Sequence, residues 1–289
     1  VMIHKCETKG EEYYQNSVLA GKNSPDPGVL LYNNVYYVVT TSNLNTESSK
    51  FPIHTSKDLV NWEMAGYVFP GDGAHLPQWA NQDFWAPELH VINGQFRVYF
   101  TARDSSSGVL CIGVGTSDHG VTGPYRDIGH PLVKNMTVGS IDATVMKLES
   151  DYYLVWKDDG NDPKYHLPTW IWARQLTSDG LQFATDSKYP LIRNTLEWEG
   201  DLVEAPWVIH HNSTYFLFYS ANGYCDARYT IGVARSKYPL GPYEKRRQPI
   251  VHSNSVWIGP GHCSVVQKSS DCSVKAGGGC QAWRLRKSW

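Results

Sequence analysis

Several features of membrane, nucleic-acid-binding and zinc proteins are missing from this sequence. No apolar run reaches the roughly 18 residues that suggest a transmembrane helix, so no membrane partner is expected. No long basic block occurs and the net charge is −2, which disfavours a nucleic acid partner. The six cysteines include no CxxC pair and no spacing typical of zinc ligands. Because no stretch shows the period of an amphipathic helix, the chain is expected to be all-β.

A leader peptide is also not visible at Val1. Two sequons occur, Asn135-Met136-Thr137 and Asn212-Ser213-Thr214, and the number of cysteines is even. Together these features predict a mature secreted chain. Cys225 and Cys263 fall at comparable depths of neighbouring repeats, which fits either a disulfide or two free thiols.

One pattern occurs five times, with starts separated by 60, 56, 63 and 57 residues. The copies are DPGVLLYNNVYYVVTTS from Asp26, APELHVINGQFRVYFTA from Ala86, DATVMKLESDYYLVWKD from Asp142, APWVIHHNSTYFLFYSA from Ala205 and a shorter HCSVVQK from His262. Strand-like units with such a period are the signature of a β-propeller. A blade needs neighbours to bury its faces. We therefore expect one domain over residues 1–289, a five-bladed β-propeller with a core supplied by 11 Trp and 18 Tyr.

Each full copy begins as a hairpin of an apolar strand, a polar turn and an aromatic strand. Third strands are predicted at 110–117, 169–176 and 229–236, and fourth strands at WEMAGYVF, GPYRDIGHPLV and GPYEKRRQPIV. The fifth blade is atypical or incomplete after Gln267, since only 27 residues follow His262 and they include Gly277-Gly278-Gly279. We expect a strand from residues 1–24 to complete this blade and close the ring.

Three copies begin with or directly after an acid, and a propeller brings such starts to one central axis. Asp26, Asp142 and Glu204 would then share a pocket. A pair of carboxyl groups, one protonated and one ionised, is the usual apparatus of glycoside hydrolysis. Taken singly, Asp26 fits an Asp-Pro turn and Asp142 an Asx turn. Glu204 lies one residue before the common register, so it either precedes the strand or requires a shift of the alignment.

Two further residues are candidates for the same pocket. His262 occupies the register of Asp26 and Asp142, where it could bind a metal ion or water on the axis, or form a hydrogen bond in the core. Trp85 precedes the second copy and fits either a wall of a sugar pocket or a packed core position.

These segments, in this order and spacing, resemble glycoside hydrolase family 43. SPDPGVLLYNNVYYVVTTS, FWAPELHVINGQFRVYF, GSIDATVMKLESDYYLVWK, LVEAPWVIHHNSTYFLFYSANGY and GPGHCSVV carry the resemblance, over residues 24 to 267. It implies a five-bladed propeller and an inverting hydrolase of α-L-arabinofuranosyl or β-D-xylosyl linkages, occasionally β-galactosyl ones. The residues after Gln267 do not match the family's final strands.

By the same resemblance, Asp26 is the general base, Glu204 the general acid, and Asp142 the residue that tunes and orients the acid. His262 matches an axial histidine that contacts a structural calcium or its water in many members, and no cofactor is required. The expected partner is an oligosaccharide or polysaccharide of plant cell walls, and the expected state is a monomer. A catalytically inactive sugar-binding propeller and a β-galactosidase-type member remain alternatives.

Overall fold

The computed structural model describes residues 19, 23–42, 48–162 and 164–266. These residues form sixteen β-strands and one three-residue 3-10 helix, Glu197–Glu199. No helix among them is long and apolar enough to cross a membrane. The strands make four separate four-stranded antiparallel sheets, each built from four consecutive strands. The all-β propeller prediction is confirmed, and of the predicted fifth blade the described residues include only the start at His262.

The strand bounds follow the sequence repeat. The first blade contains β1 Gly28–Tyr32, β2 Val35–Val39, β3 Lys50–Ser56 and β4 Glu63–Phe69. The second contains β5 Ala80–Ile92, β6 Gln95–Asp104, β7 Leu110–Ser117 and β8 Arg126–Asp127. The third contains β9 Ser140–Leu148, β10 Asp151–Asp158, β11 Trp170–Leu176 and β12 Phe183–Arg193. The fourth contains β13 Val203–His211, β14 Thr214–Ala221, β15 Thr230–Ser236 and β16 Glu244–Lys245.

Tight turns set the register of the inner hairpins. Asn33-Asn34, Asn93-Gly94 and Asn212-Ser213 each have positive φ at both turn residues. Paired positive φ values are the mark of the type I′ turn, which matches the twist of two antiparallel strands and favours Asn and Gly. The polar turns seen in the sequence therefore fix which side chains of the following aromatic strands face inward.

The hydrophobic core lies between neighbouring blades rather than within them. One cluster joins blades 1 and 2 around Phe51, Phe69 and Phe100, with ring centroids 5.2–6.0 Å apart. A second cluster joins blades 2 and 3, and a third joins blades 3 and 4. Among the described residues, each sheet thus buries a face against a neighbouring sheet.

Blades 2 and 4 share one packing motif. Trp79 stacks on Phe100 at 6.0 Å, and Trp198 stacks on Tyr219 at 6.1 Å. A glycine of the third strand faces each pair of rings. A Cβ on Gly232 would lie 2.6 Å from both the Trp198 and the Tyr219 ring, and a Cβ on Gly113 would overlap the Trp79 and Phe100 rings. Only glycine lets the two rings meet over the third strand.

The predicted outer strands and the predicted cysteine pair have different outcomes. The third strands are confirmed at the predicted places, and the fourth strands are shorter in blades 2 and 4. Cys225 and Cys263 carry free thiols, so the disulfide between them does not form. The strand expected from residues 1–24 and the tail after Gln267 lie outside the described residues, apart from the few positions 19, 23 and 24.

Candidate active site

The first residue of every copy has the same unusual backbone. Asp26, Ala86, Asp142, Ala205 and His262 have φ of 54°, 45°, 57°, 49° and 49°. A left-handed conformation is uncommon for residues other than glycine and is retained only where the surroundings impose it. Since all five starts share it, the five-fold repeat extends to His262. The register of β13 against β14 also shifts between Glu204 and Trp207. The same shift follows Trp85 in β5 and Ile141 in β9, so Glu204 occupies the register position of those two residues.

Asp26 is held from two sides. The Thr41 hydroxyl donates to Asp26 Oδ2 at 2.6 Å, and His262 Nδ1 lies 3.2 Å from Asp26 Oδ1. Thr41 Oγ1 also accepts the Ala86 amide at 2.8 Å, which directs its own proton to the carboxylate. The Asp26 side chain remains 28% exposed. Asp26 is therefore a fixed carboxyl group in contact with solvent, which suits a group that activates water.

Asp142 lies deeper. Its amide donates to Thr101 Oγ1 at 3.2 Å, and its Oδ2 accepts the Ala205 amide at 2.9 Å. Burial raises the pKa of Asp142 to about 7. The positive neighbours His262 and Lys157 oppose this shift, while the carboxylates of Glu204 and Asp26 add to it. The charges of both other acids therefore act on Asp142. With its raised pKa, Asp142 holds a proton up to near neutral pH.

Glu204 is buried and has two strong donors. The Tyr229 hydroxyl donates to Oε1 at 2.7 Å, and Lys157 Nζ donates to Oε2 at 3.1 Å. Lys157 is 1% exposed and also contacts Asp159 Oδ1 at 2.9 Å. Burial would lower the pKa of Lys157, but the carboxylates of Glu204, Asp159 and Asp142 raise it above its ordinary value. Lys157 is thus a permanent cation that fixes the Glu204 side chain.

The residues around His262 do not make a calcium cage. Calcium takes six to eight oxygen ligands, and His262 offers one imidazole that already contacts Asp26. Among the described residues, no group of three or more His, Cys, Asp and Glu side chains is placed to hold a metal ion. For the calcium ion that was one of two candidate partners of His262, the other being water, the described residues therefore supply no set of three side-chain ligands.

Trp85 is half-buried and pairs with Thr101 at a register shift of β5. It directly precedes Ala86, whose amide is bonded to the Thr41 hydroxyl beside Asp26. Trp85 is therefore linked through the backbone of Ala86 to the hydrogen bonds beside Asp26. Its role as a wall of the sugar pocket stays a prediction.

Sequence reasoning missed four residues of this cluster: Thr41, Lys157, Tyr229 and Glu88. Thr41 and Lys157 each stand 15 residues after the start of their copy, as Thr101 and Ser220 do. An alignment of the second strands would have shown one lysine among three hydroxyl residues. Glu88 is buried beside Gly28 of the neighbouring blade, and burial followed by the charge of Asp142 raises its pKa well above the ordinary value.

Carboxyl groups with such different surroundings at the axis of a propeller define a class of protein, the glycoside hydrolases. The family model for glycosyl hydrolases family 43 matches residues 14–274. The chain belongs to this family. It is a glycoside hydrolase, and its substrates are oligosaccharides or polysaccharides.

Known proteins of the family show how far the similarity extends. The chain is 26% identical to the beta-D-galactofuranosidase xynD of Aspergillus niger, over 83% of this chain and 69% of that protein. It is 25% identical to the extracellular endo-alpha-(1->5)-L-arabinanase 1 of Bacillus subtilis, over 83% and 76%. A crystal structure of a thermostable family-43 glycoside hydrolase superposes with a TM-score of 0.78 at 30% identity, covering 86% of this chain and 81% of that one. The relatives' names cover different sugars.

Proposed function

We propose that this protein is an inverting glycosidase that cleaves α-L-arabinofuranosyl linkages, or β-D-xylosyl ones, in plant cell-wall polysaccharides or their oligosaccharides. Asp26 is the general base, Glu204 the general acid, and Asp142 the residue that tunes the pKa of the acid and orients it. The supporting observation is the separation of environments. Asp26 is partly exposed and held by Thr41 and His262, whereas Glu204 is buried and held by Lys157 and Tyr229.

The proposed source of the proton for the leaving group is the pair of Asp142 and Glu204, whose carboxyl groups interact through their charges. Two interacting carboxyl groups release their protons in steps that belong to the pair. The raised pKa of Asp142, about 7, supports one proton retained by the pair near neutral pH. In the proposed cycle Glu204 passes this proton to the leaving oxygen, while Asp26 takes a proton from the attacking water. Trp85 forms a wall of the sugar pocket, and His262 orients Asp26.

We further propose five blades within one domain over residues 1–289. His262 donates its amide to Ser220 Oγ of blade 4 at 2.7 Å, and Ser264 Oγ donates to the Pro27 carbonyl of blade 1. The fifth start therefore lies between the fourth and first blades, which supports a fifth position in the ring. Secretion is supported by the relative from Bacillus subtilis named as extracellular. We propose a monomer.

A panel of aryl glycosides tests the substrate, and product stereochemistry tests the mechanism. We expect hydrolysis of the 4-nitrophenyl α-L-arabinofuranoside, with the β-D-xyloside and β-D-galactofuranoside as comparisons. Inversion needs carboxyl groups roughly 6.5–9.5 Å apart, whereas retention needs about 5–5.5 Å. Proton NMR of the first-formed sugar should show inversion. A retained anomer would overturn both role assignments, and sugar binding without any hydrolysis would indicate an inactive propeller.

A further inference from the structure

The loop that leads from blade 4 to His262 exposes three consecutive apolar side chains. We call residues 252–261 the rim loop. Within it Val256, Trp257 and Ile258 are 72%, 44% and 78% exposed. Single apolar residues are common on protein surfaces, but a contiguous exposed patch marks a binding surface more often.

The tip of the rim loop has a fixed shape. Asn254 Oδ1 accepts the amides of Val256 at 2.8 Å and Trp257 at 2.9 Å, and the Asn254 amide donates to the Trp257 carbonyl at 2.8 Å. Ser253 Oγ accepts the Gly259 amide at 2.8 Å and donates to the Ala227 carbonyl. The apolar tip is therefore held in place before any ligand arrives, which lowers the entropy cost of binding.

The rim loop lies against Tyr229, which is bonded to Glu204 of the carboxylate cluster formed by Asp26, Asp142 and Glu204. A Cβ on Gly261 would overlap the ring of Tyr229, whose hydroxyl donates to Glu204. The neighbouring loop carries Tyr224, which is 78% exposed. The two loops contact each other, since Ser253 Oγ of the rim loop donates to the Ala227 carbonyl.

The chemistry of this surface fits a neutral sugar chain. Residues 252–261 contain no Asp, Glu, Lys or Arg. Aromatic rings bind the C–H faces of sugars through apolar contact, and their polar atoms can bond hydroxyl groups. A protein partner selected by charge would find no Asp, Glu, Lys or Arg to pair with in this loop, whereas an uncharged glycan needs none.

We propose that Tyr224 and the rim loop, with Trp257 at its tip, form a distal binding site for an uncharged oligosaccharide chain that extends from the cleaved linkage. This proposal rests on the glycosidase function proposed above. It makes the protein an enzyme that prefers a chain of sugars to a single terminal glycoside. Trp257 supplies the stacking face, and Tyr224 supplies a second exposed ring on the neighbouring loop.

The test compares substrates of different length. We would measure kcat/KM for the aryl monoglycoside and for linear oligosaccharides of the same sugar in the wild type, Trp257→Ala and Tyr224→Ala. The ratio of hexasaccharide to aryl substrate should fall about tenfold in Trp257→Ala, mainly through KM, and Trp257→Phe should recover part of it. Tyr238→Ala is the matched control. Tyr238 is 68% exposed, and it follows the end of β15 opposite the site.

Other outcomes would overturn the proposal. An unchanged ratio in both variants would remove the distal site, and so would an equal loss on all substrates. If the rim loop instead covers a second copy, Trp257→Ala changes the elution volume on size exclusion. If it covers another part of this chain, the variant melts several degrees lower. Binding of hexasaccharide to Asp26→Asn and to Asp26→Asn/Trp257→Ala, by calorimetry, separates the two proposals. A weaker double variant supports the distal site even if no linkage is cleaved.

Discussion

The contacts that join the start of one blade to the preceding blade, which we call seams, are of two kinds. In three of them a hydroxyl 15 residues after one blade start accepts the amide of the next start: Thr41 with Ala86, Thr101 with Asp142, and Ser220 with His262. At the seam between blades 3 and 4 this position is Lys157, which cannot accept. There the Ala205 amide donates to the Asp142 carboxylate, and Lys157 pairs with Glu204. Between blades 3 and 4, where the candidate acid Glu204 lies, a charged pair therefore replaces the neutral hydrogen bond of the other seams.

This difference shows that the same backbone serves two purposes. A hydroxyl seam joins blades at little electrostatic cost, because no charge is buried. An ionic seam requires burial of Lys157 and Glu204, and burial of charges is costly unless each has partners. The ionic seam is therefore expected to be fragile and specific, and the hydroxyl seams tolerant.

The largest contrast is expected between Asp26→Asn and Glu204→Gln, one on each kind of seam. Asp26→Asn should lower kcat/KM about 10²–10⁴-fold for all substrates, because every turnover needs an activated water. Glu204→Gln should cost as much only for poor leaving groups, since good ones need little protonation. A series of aryl glycosides with graded leaving-group pKa measures this, and identical slopes for both variants would contradict the roles.

Replacement of the seam lysine should have the next largest effect. Lys157→Met leaves Glu204 and Asp159 without their cation, and loss of one partner of a buried pair costs about 3–5 kcal/mol of folding free energy. Arg235→Met is the control, since Arg235 pairs with Glu244 at 3.0 Å and the two side chains are 35% and 66% exposed. That change should cost about 1 kcal/mol or less. Urea denaturation of both variants would show equal losses if the ionic seam had no special weight.

The pH dependence of stability should reveal Asp142. Its pKa is about 7 in the folded protein and about 3.9 when unfolded, so the folded state holds the proton more tightly. This contribution of Asp142 to folding stability is complete below pH 4 and is lost as pH rises through 7, by about 4 kcal/mol. Asp142→Asn should flatten this decline in unfolding free energies measured from pH 4 to 8. Glu244→Gln, on the surface, should keep it, and a decline that persists in Asp142→Asn must come from another group.

The smallest effect tests whether one hydroxyl seam does more than join blades. Thr41→Val and Thr101→Val each remove an amide acceptor and should lose about 1 kcal/mol of stability. Only Thr41 also donates to Asp26, so only Thr41→Val should lower kcat, about tenfold, and shift the acidic limb of the pH–rate profile. Thr41→Ser should restore both. Equal kcat values for the two valine variants would reduce Thr41 to a structural residue.

The repeat in the sequence predicted most of the strand framework. It located the third strands because IGV recurs in β7 and β15, and the acids because they share the blade start. It did not predict β12, Phe183–Arg193, where exposed charges and Pro190 read as a loop. That strand forms at the edge of the sheet, where a proline is tolerated.

The partners of the acids could not be read from local pattern. Thr41 contacts the start of its own copy and of the next one, and Tyr229 reaches Glu204 from 25 residues away. Such contacts depend on how two sheets twist against each other, which period and composition do not encode. The sequence shows Lys157 at a position where the other copies have a hydroxyl residue. Only the packing of blades 3 and 4 shows that this lysine pairs with Glu204.

The motif of stacked rings over glycine alternates around the molecule. Blades 2 and 4 share Ala-Pro starts, the Trp-over-glycine motif, a cis Gly-Pro bond and a two-residue fourth strand, whereas blades 1 and 3 begin with aspartate and have fourth strands of 7 and 11 residues. Trp79 and Trp198 are 119 residues apart, as are Gly113 and Gly232. The described blades thus repeat in pairs. Each pair begins with one aspartate, Asp26 or Asp142, whereas Glu204 and Lys157 occur only in the second pair.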